Sequence, residues 1–112
     1  MTETAAVPTD KEERHAWMER KLAQAVAYQV WQLRVSRRWS QRQLAKKAGL
    51  STQVIVRIEN GDLHVGTKSY MAIANAFDVA LLIRFASFGE FADFALAITG
   101  SWIAPVSYTE EA

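Results

Sequence analysis

The chain has 112 residues, half of them apolar, with a formal net charge of +1 and no cysteine. That length suits one domain with short tails, burying roughly two-thirds of its unfolded surface, and the missing cysteine excludes disulfides, thiolate metal sites and thiol nucleophiles. No apolar run approaches the ~20 residues of a membrane span and the start, MTETAAVPTDKEERHAW, has no signal-peptide pattern, so a soluble, cytoplasmic protein with no membrane partner is expected.

Residues 1–9 read as a flexible tail. Thr9 followed by Glu12 is a capping-box pattern, and no Gly or Pro interrupts the chain from there to Arg38. Leu22, Val26, Val30 and Leu33 recur at helical spacing, with Ala23, Ala27 and Trp31 widening the stripe. This predicts one long helix or two in close succession. Ser40 is a good N-cap for a second helix, QRQLAKKA, which Gly49 ends. Ser51 caps a third, TQVIVRIEN, closed by Asn60-Gly61, and Thr67 caps a fourth whose buried face carries Tyr70, Ile73, Ala74 and Phe77.

After Phe77 the period changes. VALLIRFASF, residues 79–88, puts Leu81, Ile83 and Phe85 on one side at period two, which predicts a strand, with a buried helical turn as the alternative. A lone strand in a helical chain has an unsatisfied edge; pairing with the same strand of a second copy would satisfy it, so a homodimer through Leu81, Ile83 and Phe85 is expected. GEFADFALAITGSW suits a short amphipathic helix, and IAPVSYTEEA reads as an extended or disordered tail. The expected fold class is all-α: a compact helical bundle, plus a C-terminal strand pairing across a homodimer.

Charge is segregated along this order. From Lys21 to Ile58 the ionisable residues are Lys21, Arg34, Arg37, Arg38, Arg42, Lys46, Lys47 and Arg57, with no acid among them. A solvated helix face usually mixes both signs, whereas clustered bases neutralise phosphates and release counterions. The segregation therefore favours nucleic acid as the partner.

Arg34, Ser40, Gln41, Leu44, Ala45, Gly49, Ser51, Ile55, Ile58, Glu59, Asn60 and Gly61 stand at the spacing of a known pattern. In it, an Arg ends the first helix, Ser-Gln opens the second, Leu-Ala lies inside it, Gly makes the turn, and Ile-Glu-Asn-Gly closes the third. Residues 34–77 thus resemble the lambda-repressor and Cro-like helix-turn-helix family, the xenobiotic-response-element type. Each position also has a physical reason: Ala45 is small where two helices cross, Gly49 tolerates positive φ, and Leu44, Leu50, Ile55 and Ile58 close the core. The domains are then a tail at 1–9, a helical DNA-binding domain at 10–78 with the helix-turn-helix at 40–60, a dimerisation extension at 79–104, and a tail at 105–112. The chain departs from the simplest members of the family in its long N-terminal helix, in Arg37, Arg38 and Trp39 between helices one and two, and in a loop from Asp62 to Gly66 without proline.

With Ile55 and Ile58 inward, Gln53, Val56, Arg57 and Asn60 face out at i, i+3, i+4 and i+7. The first turn of a recognition helix meets base edges, so Thr52 and Gln53 are the leading base readers, Gln bonding bidentately to adenine. Val56 suits a thymine methyl, and Arg57 a guanine or a phosphate. The resemblance implies that Gln41 contacts phosphate, where helix-end N–H groups also point. Arg42, Ser51, Asn60 and Lys68 are further phosphate candidates, and about half of the other clustered bases are expected to contribute charge. The resemblance also makes Arg34 and Glu59 a structural pair, worth on the order of 1 kcal/mol if partly exposed.

Other residues read as structural. His15 and His64 have no companion ligand, so no metal is expected. Trp17, Trp31, Trp39 and Trp102 suit packing or dimer contacts better than base stacking. Ser40 and Ser51 lack a catalytic triad around them, and neither an enzyme activity nor a cofactor is indicated. The expected function is a sequence-specific, homodimeric DNA-binding transcriptional regulator, a repressor on a pseudo-palindromic operator read through the major groove. The alternatives are an antitoxin that autorepresses its operon and binds a toxin protein, and an interaction module that uses the fold without DNA.

Overall fold

The computed structural model describes residues 7–100 and 104–111. Its first helix, α1 (Lys11–Ser36), is capped by Asp10 and not by Thr9: the Asp10 carboxylate accepts the Glu13 N–H at 3.1 Å. Both residue types cap well, but a carboxylate also meets the positive end of the helix dipole. Thr9 gives its carbonyl to Arg14 Nη1 instead, at 2.9 Å. The helix continues for 26 residues, so the long apolar stripe is one element.

Three short helices follow: α2 (Gln41–Ala48), α3 (Thr52–Glu59) and α4 (Thr67–Phe77). Ser40 and Gln43 form a complete capping box at the start of α2, and the Ser51 hydroxyl accepts the Val54 N–H at the start of α3. At α4 the expected cap moves by one residue. Gly66 is the N-cap, with no side-chain bond, and Thr67 is the first helical residue.

All four helices end in the same way. The first or second residue after the helix enters the left-handed region, at Arg38 (φ 59°), Gly49 (φ 68°), Gly61 (φ 85°) and Asp78 (φ 56°). The next N–H then reaches back to the carbonyl five residues earlier: Trp39 to Arg34, Leu50 to Ala45, Asp62 to Arg57 and Val79 to Ala74, at 2.9–3.1 Å. This ending satisfies carbonyls that would otherwise lack a partner, and glycine adopts it without strain. Arg38 does not. Arg38→Gly is therefore expected to stabilise the fold by about 1 kcal/mol, read as a raised urea midpoint; a lowered midpoint would mean that the arginine side chain supports the turn.

The core lies where these helices cross. Val30 and Leu33 of α1, Leu44 and Ala45 of α2, Ile55 and Ile58 of α3, and Ile73 and Phe77 of α4 are buried together. Residues 10–78 thus bury every expected core isoleucine and leucine except Leu22 and Leu50, which are half-buried. A second, smaller contact forms between the N-terminal half of α1 and α5 (Phe88–Gly100). Trp17 meets the Phe91 ring edge-on at 5.7 Å, and Ala92 and Ile98 are buried. Trp17 and Trp39 pack as expected, Trp31 is 43% exposed, and Trp102 lies outside the described residues.

Two C-terminal expectations are corrected. The described residues contain no strand: residues 79–87 carry neither helix nor ladder. A strand needs a partner for its backbone groups, and none of the described segments lies alongside to supply one. The tail is not simply extended either. Ala104 packs on the core, Tyr108 donates its N–H to the Asp78 carbonyl at 2.9 Å, and α6 (Tyr108–Glu111) forms a single turn. The described residues are all-α, as the helical pattern implied.

Candidate nucleic-acid interface

The α2–α3 pair is positioned from behind by ionic and aromatic contacts. Arg34 and Glu59 make a bidentate pair, Nε to Oε2 at 2.7 Å and Nη2 to Oε1 at 2.8 Å, while Arg34 Nη1 reaches the Trp39 carbonyl at 2.9 Å. Hydrogen bonding to Glu59 raises the Arg34 pKa above its ordinary value against the opposing effect of burial. The side chains are 14% and 7% exposed. Gln41 Nε2 joins from the start of α2 at 3.4 Å.

Arg37 is also committed to the fold. Its guanidinium lies 4.9 Å from the Phe77 ring centroid and donates to the Phe77 carbonyl at 3.1 Å. Trp39 stacks on Phe77 at 5.3 Å and 6°, and Lys47 Nζ sits 4.8 Å over Trp39. The unusual link between α1 and α2 is thus an aromatic stack flanked by cations, joining the ends of α1 and α4. Of the clustered bases, Arg34 and Arg37 are structural; Arg38, Arg42 and Lys46, and also Lys68 beyond the cluster, are exposed and form no ion pair among the described residues.

On α3, Ile55 and Ile58 are buried while Thr52, Gln53, Arg57 and Asn60 are exposed and Val56 is half-buried. The 3.6-residue period accounts for the split. Ser51 is exposed at the start of this helix and Lys68 at the start of α4; Arg42 lies on the outer side of α2 and Gln41 is half-buried against Glu59. Arg57, however, is not free. Its Nε donates to Asp62 Oδ2 at 2.8 Å and its Nη2 to the His64 carbonyl at 3.2 Å.

Asp62 is the residue sequence reasoning missed. Beyond Arg57 it accepts the His64 N–H at 2.8 Å and lies 3.2 Å from His64 Nδ1. The His64 backbone bond, then Arg57, lower its pKa to about 2. The sign follows: a depressed carboxylate pKa adds stability that is fully present above the ordinary value of 3.8 and is lost as pH falls through about 2. Tyr70, packed behind this loop, has its hydroxyl pKa raised by burial and then by the Asp62 charge. The only cue in the sequence was an Arg and an Asp on either side of Asn60-Gly61, a spacing no helical rule pairs.

Two helices crossing over a glycine turn, with a polar outer face on the second, define a helix-turn-helix module able to present α3 to a duplex groove. The family described as helix-turn-helix matches at residues 32–83. The match supports the resemblance of that segment to the Cro-like, xenobiotic-response-element type, and with it a DNA-binding regulator of transcription as the class of protein. No curated protein and no solved structure matches the chain. No described helix is long and apolar enough to cross a membrane, and no group of three or more metal-ligating side chains occurs among the described residues.

Proposed function

We propose that this chain is a sequence-specific transcriptional repressor that acts in the cytoplasm as a homodimer on a pseudo-palindromic operator. The observation that carries the reading is the outer face of α3. Thr52, Gln53, Arg57 and Asn60 are exposed above a sealed core, and Arg42, Lys46 and Lys68 are exposed without ion-pair partners among the described residues. Thr52 and Gln53 read bases in the first turn; Val56 meets a thymine methyl; Arg57 reaches guanine. Arg42, Ser51, Asn60 and Lys68 hold phosphate, with Gln41 beside the α2 N-terminus.

The homodimer reading is supported by residues 80–86, whose backbone groups have no backbone partner among the described residues, and by the exposed side chains along them. Leu81, Ile83 and Phe85 are 41%, 68% and 101% exposed. A two-fold pairing of this segment would cover them and place two recognition helices on half-sites about 34 Å apart. A second reading rests on the additional exposure of Leu82, Phe94 and Leu96: an antitoxin that uses this apolar surface for a toxin protein and α3 for its own operator.

The test is selection from a random duplex library, followed by binding of the winner and a scrambled duplex across a salt series. A palindromic winner with a wide affinity gap supports the dimeric repressor. Steep salt dependence without a winner would leave only nonspecific charge binding. On the winning site, Gln53→Ala is expected to cost about 1–3 kcal/mol with little change on scrambled DNA, whereas Lys68→Ala weakens both alike. Equal losses for Gln53→Ala on the two duplexes would remove it from the base readers.

A further inference from the structure

We propose that Asp62 is a positioning residue for base recognition: it grips the Arg57 guanidinium along one edge and so presents the opposite edge to a guanine. The inference rests on the DNA-binding reading above and adds to it a defined target base and a second residue.

A guanidinium offers two usable edges. The edge formed by Nε and one hydrogen of Nη2 is occupied by Asp62 Oδ2 at 2.8 Å and the His64 carbonyl at 3.2 Å. Nη1 makes no bond within the described residues, and the second edge keeps one hydrogen on each Nη nitrogen when Nη2 uses its Nε-side hydrogen for His64. Those two hydrogens run parallel and match the O6 and N7 acceptors of guanine, a pair that adenine, with its N6 amino donor, does not offer. Arg57 lies on the outer face of α3 with 49% of its side chain exposed.

The grip is itself braced. Asp62 Oδ1 accepts the His64 N–H at 2.8 Å, and the Asp62 N–H bonds to the Arg57 carbonyl at 3.0 Å. The His64 backbone bond and then the Arg57 guanidinium favour the ionised carboxylate. An arginine normally loses much rotamer freedom when it binds; here that freedom is removed beforehand. The arrangement has an electrostatic cost, because a carboxylate near the groove repels phosphate on every duplex alike. Asp62 therefore exchanges general affinity for base discrimination.

The experiment measures binding of the full chain to its selected duplex, and to the same duplex with the arginine-read guanine replaced by adenine or by 7-deazaguanine, which lacks the N7 acceptor. The unaltered chain should prefer guanine by about tenfold or more over either replacement. Arg57→Ala should erase that preference, and Asp62→Ala should reduce it about tenfold while leaving scrambled-duplex binding equal or tighter. The double variant should lose no more than Arg57→Ala alone, because both changes remove one device. Asp62→Asn, which keeps an acceptor for the His64 N–H, provides the same reading if the alanine variant folds poorly. Asp62 variants that discriminate as well as the unaltered chain, or losses that add in the double variant, overturn the inference. An unaltered chain that selects a site where Arg57→Ala changes no preference also overturns it, but leaves the DNA-binding reading in place. An unaltered chain that selects nothing overturns both.

Discussion

Glu59→Ala is expected to destabilise the domain by about 2 kcal/mol, between the values for an exposed ion pair and for one member removed from a fully buried pair. The carboxylate accepts two bonds from Arg34 at 2.7 and 2.8 Å and lies where only 7% of its side chain meets solvent. Alanine would leave the guanidinium with one acceptor, the Trp39 carbonyl at 2.9 Å, and little water to replace the other. Urea denaturation reads the loss directly. A change below about 1 kcal/mol would show that solvent reaches Arg34 once the carboxylate is gone. The pair ties the last turn of α1 to the last turn of α3, so the recognition helix should also lose its fixed angle. Replacing both partners together by Arg34→Met and Glu59→Leu should restore much of the stability, because the penalty lies in the orphaned charge rather than in the absence of a salt bridge.

Ile83→Asp is expected to convert a dimer into a monomer, weakening self-association more than about a hundredfold while leaving the helices intact. If two copies pair antiparallel through residues 80–86, Ile83 is the central residue, with Leu81 and Phe85 symmetric about it. Each Ile83 then faces its counterpart, and aspartate would set two like charges across the two-fold axis in place of an apolar contact. The side chain is 68% exposed in the protomer, so its replacement should not disturb the core. Sedimentation reads the association, and circular dichroism the fold. An unchanged dimer would put the interface elsewhere, with Trp31 and Val35 of α1, each 43% exposed, the next surface to substitute. A monomeric unaltered chain would favour the toxin-binding reading of the same segment.

The two predictions depend on different kinds of information. The Arg34–Glu59 pairing was legible through the resemblance to a family pattern, but its burial was not, since burial is set by Trp39, Gln41 and the helices packed around it. The homodimer was inferred from alternation in residues 79–88, yet the protomer leaves residues 79–87 without ladder or helix. Alternation records which side chains share a side. It does not supply a bonding partner.

The helix starts at Ser40 and Ser51, the left-handed turns at Gly49 and Gly61, and the inward Ile55 and Ile58 could all be read directly along the chain. Each depends on backbone groups within about five residues or on the helical period, and such local chemistry is written in adjacent positions. Thr9 and Thr67 misplaced a helix start by one residue because Asp10 and Gly66 are also acceptable caps, and the small energy difference between neighbours is settled by the path of the chain. The diversion of Arg37 to Phe77, forty positions away, the grip of Asp62 on Arg57, and the depth of Glu59 depended on packing. Charge and aromatic contacts act over a few ångströms in space whatever the distance along the chain, and which groups come that close is decided only when the helices are folded against one another.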